Sequence, residues 1–326
     1  MAKYKGIKGF KVQSLASDPT ADEGQIWYNT ASNTLKYDSV GAGAWATGAT
    51  VNITRNQCAG AGRSSSAALL LGGTLTDFYP PYSAVKTESY DGTSWTNVAD
   101  FTTQRSYFAG CGSQTAAMIT TAEQQAPTPL TAKTELYNGT GWTEVADVNT
   151  ARKNAVVGGT ITSALIAGGP GSLLTETYDG STWTETGDLN SSKAKAGQSS
   201  SGTVTAFLAF GNYPTSALTE AWNGTAWTEV ADLGSARYGG GSSGDQTNSM
   251  YFGGSATPAV GDETELWNGT SWTEIADMTI IGLNAGSAGN AGSTSSILMA
   301  GQSPGTFNQT EVWDGAPAVV KTVTVS

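Results

Sequence analysis

The groups best placed to do chemistry in this sequence are carboxylates, because it holds 27 aspartates and glutamates and no histidine. Without imidazole there is no histidine general base, no Ser-His-Asp or Cys-His nucleophile and no imidazole metal ligand. What remains is two-carboxylate chemistry of the glycosidase type, which needs a convergent pair of acids. Most acids here recur with a repeat instead. Glu88, Glu135, Glu176, Glu220, Glu265 and Glu311 occupy one position in successive copies of a motif. Six copies of one residue mark structure, and we read these glutamates as hydrogen-bonded spacers between repeats. Asp100, Asp147, Asp188 and Asp232 are each followed five residues later by Arg105, Arg152, Lys193 and Arg237, a spacing that predicts an ion-pair clip; Asp277 meets Gly282 instead.

The acids that break the repeat are Asp77 and Glu123, in two long segments, TLTDFYPPYSAVK from Thr74 and TAEQQAPTPLTAK from Thr121. The first also carries Phe78, Tyr79 and Tyr82 around Pro80 and Pro81, a rigid aromatic knob suited to stacking on sugar rings or packing on a protein, unless it folds onto its own repeat. Asp77, Phe78, Tyr79, Tyr82 and Glu123 are therefore the candidate binding residues. Loops on a rigid scaffold are where function concentrates.

The scaffold follows from the repeat: TESYDGTSWTNVAD, TELYNGTGWTEVAD, TETYDGSTWTETGD, TEAWNGTAWTEVAD and TELWNGTSWTEIAD, then TEVWDGA from Thr310. Each reads as a strand with an aromatic, then Asp-Gly or Asn-Gly, the pair that tolerates positive φ at both centres of a tight hairpin loop, here lengthened by one or two Thr or Ser residues, and a strand opening with Trp. The NGT triplets at Asn138, Asn223 and Asn268 are explained by this turn rather than by glycosylation. Upstream lies an apolar run such as AALLLGG or SALIAGG, the pattern of a strand buried on both faces, and before that a stretch of Gly, Ala and Ser. Tiny residues suit innermost strands converging on an axis. A four-strand unit of 41 to 47 residues predicts an all-β, six-bladed β-propeller of four-stranded blades.

The last copy lacks its Trp strand. TLKYDSVGAGAWATGA from Thr34 contains a degraded hairpin, and the strand from Trp45 is expected to complete the sixth blade, so that N- and C-terminal segments close the ring. The competing arrangement gives AVVKTVTV at 318–325 that place and leaves residues 1–48 as a separate hairpin. On the first arrangement the divisions are 1–33, an attachment arm and start of hairpin, and 34–326, the propeller.

Strand pattern, period and the Gly-rich second strand resemble the kelch-type β-propeller, although the Gly pair ending that strand survives only at Gly72, Gly168 and Gly253. The resemblance implies fold and is nearly silent on activity; the copper oxidases on such propellers use histidine ligands, which this chain lacks. EGQIWYNTASNTLKYDSVGAGAW is similar to a segment of tailed-phage fibre and baseplate-associated proteins, matched at Gly24, Trp27, Tyr28, Asn29, Thr30, Asn33, Leu35, Tyr37 and Asp38. This resemblance implies a non-enzymatic virion structural protein, attached to other virion proteins through Lys3, Lys5, Lys8, Lys11, Trp27 and Tyr28, in multiple copies per particle, displaying a propeller for host-surface binding or particle architecture. The alternative is a carbohydrate-binding or carbohydrate-active propeller using loop-face carboxylates.

Composition agrees with an exposed particle component. Charged residues are 13%, against about 25% in ordinary globular chains, and the net charge of −11 argues against a nucleic-acid partner. The four lysines of the first eleven residues form a basic arm with no acid, either a docking element or a solvated terminus. No apolar core of a secretory signal or membrane span is present, consistent with synthesis in a host cytoplasm and release in the particle. Cys58 and Cys111 are expected as small buried residues rather than a disulfide, and neither metal nor cofactor is expected.

Overall fold

The computed structural model describes residues 13–17, 26–39, 43–75, 84–123, 130–256, 259–291, 294–302, 306–315 and 319–322. It is all-β in these residues, with seven four-stranded sheets and one two-stranded ribbon, Ser255–Ala256 with Ala259–Val260. Two compact units divide the chain: Ala44–Asp314, and Met1–Gly43 with Gly315–Ser326.

The larger unit is the six-bladed propeller. Blade one runs from inside to outside through strands a (Ala59–Ser64), b (Ala67–Leu71), c (Thr87–Tyr90) and d (Trp95–Asn97). Blades two to five repeat that order over Ala109–Val145, Val156–Glu185, Gly197–Val230 and Gly241–Glu274. In blade six, Gly286–Ala291, Ser295–Gln302 and Thr306–Asp314 are joined on the outside by Ala44–Thr47, antiparallel to strand c with Trp45 opposite Trp313. The Trp45 strand therefore occupies the sixth blade, and Val319–Thr322 pairs elsewhere, with Thr34–Ser39.

Sidedness of strand b explains the core. Alternate residues of a strand face opposite ways, so Leu69 and Leu71 pack toward blade two while Ala68 and Leu70 pack toward Ala288, Ile297 and Met299 of blade six. The same division recurs around the ring, giving six apolar clusters, one at each junction including that between blades six and one. Every d-strand Trp packs against the aromatic opposite it, stacked at 4.9 Å for Tyr90–Trp95 and tilted at 5.6 Å for Trp313–Trp45. Four also donate to the preceding blade: Trp45, Trp95, Trp227 and Trp272 reach Thr264, Thr310, Thr175 and Thr219.

The lengthened hairpin turn keeps one left-handed centre. Only its glycine has positive φ, 95° at Gly92 and 94° at Gly269. The preceding Asp or Asn instead caps the turn: Asp91 Oδ1 accepts from Thr93 N and Ser94 N, and Asn138 Oδ1 from Thr140 N and Gly141 N. One extra loop residue removes the need for a second left-handed centre and gives the side chain two backbone donors. These bonds favour the ionised carboxyl, drawing the Asp91 and Asp179 pKa values down to about 2.

The ion-pair clips are also rebuilt. The cation pairs not with the aspartate five residues before it but with the repeated glutamate of the next strand c. Arg55–Glu88 lies at 3.0 Å, Lys193–Glu220 at 3.5 Å and Arg237–Glu265 at 2.9 Å, and Arg105–Glu135 and Arg152–Glu176 form the same pair. All are buried. Each glutamate also accepts backbone N–H groups from the loop entering its blade, as Glu88 does from Asn52 and Ile53. The d-to-a loop is thereby pinned to the blade it leads into. The aspartates take other partners, Asp100 holding Lys86 at 2.6 Å and Asp232 and Asp277 accepting from the N–H of Thr219 and Thr264. In blade six Gly282 stands where the cation would be; Glu311 is held by the Thr279 hydroxyl and the N–H groups of Thr279 and Ile280, and Leu298 and Met278 lie closest to Gly282.

The smaller unit is a sheet in the order Gln13–Leu15, Ile26–Asn29, Thr34–Ser39, Val319–Thr322, whose first pair is parallel. The division drawn at 33/34 falls inside its Ile26–Ser39 hairpin, because Thr34–Ser39 pairs with both Ile26–Asn29 and Val319–Thr322. The structural boundary lies at 43/44 and again at 314/315.

Candidate functional site

At the start of each strand a, one residue per blade is left-handed: Gln57, Tyr107, Asn154, Lys195, Gly239 and Asn284, with φ between 50° and 70°. Their backbones hand a hydrogen bond around the axis. Gln57 N donates to Asn284 O, Asn284 N to Gly239 O, Gly239 N to Lys195 O, Lys195 N to Asn154 O and Asn154 N to Tyr107 O, at 2.7–3.0 Å. Left-handed backbone is uncommon for residues other than glycine and is held only where surroundings over-determine it. Here five hydrogen bonds, linking the six residues in an open chain from Gln57 to Tyr107, supply that constraint.

These six residues frame the mouth of an axial cavity that is open to solvent at its rim. All six blades contribute, and the residues just inside are small: Ala59, Gly60, Ala109, Gly110, Ala155 and Ala196. Smallness is obligatory where strands converge, since a Cβ on Gly60 would stand 2.2 Å from Ser287 O. Lower down, Gln198, Ser242 and Ser287 tie blades three to six: Gln198 Oε1 accepts from Val157 N, Ser242 Oγ from Gln198 N, and Ser287 Oγ from Ser242 N. No carboxylate lies among the described lining residues.

The mouth opens on the face of the b-to-c loops. Bridges between Asn56 and Thr74, Ser106 and Glu123, Tyr238 and Ser255, and Leu283 and Gln302 join the entry of strand a to the exit of strand b. On this face a cationic and aromatic cluster covers blades two to five. Lys153 Nζ is 5.4 Å and Lys195 Nζ 5.5 Å from the Tyr107 ring centre, and Lys195 Nζ is 5.9 Å from that of Tyr213. Tyr213 meets Tyr238 edge-on at 5.0 Å and is 54% exposed. Burial, then the Lys153 charge, hold the Lys195 pKa below the ordinary lysine range. Burial raises that of Tyr107, opposed by a side-chain hydrogen bond with Gln57.

Of the residues expected from sequence, Glu123 lies on this face, where it holds Lys153 at 2.5 Å. Asp77, Phe78, Tyr79 and Tyr82 lie outside the described residues, as do Lys3, Lys5, Lys8 and Lys11. Trp27 is buried within the smaller sheet, while Tyr28 and Ile26 present side chains outward, 36% and 55% exposed. Cys58 lines the cavity and Cys111 is buried; both are free thiols whose pKa values burial pushes up to about 12, so neither is a thiolate at neutral pH. Sequence reading missed the ring. Its signal was there: aligned on the repeat, this position reads Gln, Tyr, Asn, Lys, Gly, Asn, while the residue two further on is always small or β-branched.

No helix among the described residues is long and apolar enough to cross a membrane. No family model matches the sequence, and no curated protein matches it either. Solved structures do share the fold: one described as the structure of YjhT superposes with a TM-score of 0.67 over 84% of this chain and 99% of its own, at 11% identity.

Proposed function

We propose that the protein is a non-enzymatic virion component of a tailed phage, a tail fibre, baseplate or capsid-surface element whose loop face and axial mouth contact the host surface. One observation carries this reading. Residues that build the blades recur in nearly every copy, whereas the six at the mouth are of five types, only asparagine occurring twice, turning a near-symmetric scaffold into an asymmetric opening. Selection for architecture alone supplies no reason for that asymmetry, and concave sites with a few convergent polar groups are where ligands bind. The WYNT resemblance supports attachment of the other unit to the particle, with Ile26 and Tyr28 as its outward side chains. The carbohydrate-active alternative needs Asp77 and Glu123 to converge, and Glu123 is already committed to Lys153.

The test is adsorption of purified protein to host cells, with mass spectrometry of purified particles establishing that the chain is present. Replacing Tyr107 and Tyr213 by Ser should reduce adsorption at least tenfold with the melting transition retained. In a second arm, Phe78, Tyr79 and Tyr82 become Ser. Full adsorption by both variants would contradict host binding through this face.

A further inference from the structure

Lys195 stands apart from the other lysines of the propeller. Lys86, Lys133, Lys153 and Lys193 each reach a carboxylate, Asp100, Glu144, Glu123 and Glu220, at 2.5–3.5 Å. Lys195 has no carboxylate at that range among the described residues, and its ammonium faces the rings of Tyr107 and Tyr213. Tyr107 is shared with a second ammonium, that of Lys153. In a chain of net charge −11 this is a half-buried positive charge, pre-positioned at the rim of a cavity without acids. Cation–π contact with tyrosine offsets part of its desolvation but supplies no counter-ion, and no carboxylate among the described residues does so either. An entering anion would supply one, in a charge-assisted hydrogen bond.

The surroundings narrow the anion. Glu123 neutralises Lys153, so a single ammonium is on offer, which suits a monoanion better than a dianion. Beside it Tyr213 offers a solvent-exposed ring braced edge-on by Tyr238, a surface on which the apolar face of a pyranose can stack. Asn154 and Asn284 stand round the same rim with amides suited to hydroxyl groups. We propose that the mouth binds a carboxylate-bearing saccharide, a uronic acid unit of a host-surface polysaccharide, with its carboxylate on Lys195 and its ring against Tyr213. This rests on the host-binding reading above and adds the ligand class to it.

Calorimetric titration of the full chain tests it with four probes: sodium glucuronate, sodium galacturonate, methyl glucoside as ring without charge, and sodium acetate as charge without ring. At least one uronate should bind saturably, at least tenfold more tightly than methyl glucoside or acetate, and more weakly as salt rises. Lys195→Met, which keeps the aliphatic stem, should weaken it tenfold or more, and Lys195→Arg should retain it within a few fold. Tyr213→Ser, at an exposed position, keeps the question open to measurement even if a Lys195 variant folds poorly, and should weaken uronate at least fivefold. The proposal is overturned if no uronate binds, if acetate or methyl glucoside binds as well, or if folded Lys195→Met matches the parent. Should uronates fail while the protein still adsorbs to host cells, only the ligand class falls. Absent adsorption would sink the host-binding reading itself.

Discussion

Deleting residues 1–48 should give a protein that aggregates or melts far below the parent. That deletion removes Ala44–Thr47, the outer strand of blade six, and with it Trp45. Trp45 is 7% exposed, lies 4.8 Å from Phe252 and 5.6 Å from Trp313, and donates from Nε1 to Thr264 in blade five at 3.0 Å. Truncating one such side chain to alanine costs about 3–5 kcal/mol. Removing the strand also leaves Glu311–Asp314 as an unpaired edge, a template for association. A deletion ending at Gly43 keeps Trp45 and controls for chain length, and Trp45→Ala isolates the side chain. Thermal melts with light scattering read the result. A 1–48 deletion that stays monomeric and melts at the parental temperature would show that the ring holds without this strand.

Arg105→Met should cost about 3–5 kcal/mol, because it strands Glu135, itself fully buried, without its cation. The guanidinium also donates to Lys133 O at 2.9 Å, so a backbone acceptor loses its partner as well. Burial lowers the Arg105 pKa while Glu135 opposes that shift, the signature of a charge tolerated only because of its counter-ion. Pairing the change with Glu135→Leu should recover much of the loss, since a buried pair replaced as a unit by apolar residues is often neutral. Denaturant unfolding of both variants checks this. A single variant within about 1 kcal/mol of the parent, or a double variant no better than the single, would contradict the role assigned to the buried pairs.

The parts of the fold legible in sequence were those governed by local periodicity. Alternating burial of Leu69, Leu70 and Leu71 into two junctions is written directly in an unbroken apolar run, and the missing Trp of the last copy pointed to Trp45. Non-local pairings were not legible. Spacing alone suggested that Arg105 meets Asp100, whereas the loop carries it to Glu135 on the next blade's third strand, where its charge is matched within the core. The unit boundary was hidden for the same reason: Thr34–Ser39 resembles a degraded copy of the repeat, but its partners are Ile26–Asn29 and Val319–Thr322. At the site, a search for acids and aromatics in long loops found Glu123 and passed over Lys195, Tyr107 and Tyr213. Lys195 sits in a stretch that reads as small inner-strand filler, and only the folded geometry sets it beside Tyr107 of blade two and Tyr213 from the b-to-c loop of its own blade.

The central claim is that the differing residues of the axial mouth, rather than the repeated perimeter, form the working surface. Hydrogen exchange of the purified protein, free and adsorbed to host cell envelopes, tests it most directly. Adsorption should slow exchange in peptides spanning 57–60, 107–110, 153–157, 194–198 and 212–216, which carry the mouth and its tyrosines, and leave the hairpin turns at 91–94, 138–141 and 179–182 unchanged. Slowing confined to those turns or to the Ile26–Ser39 hairpin, with the mouth unaffected, would contradict it.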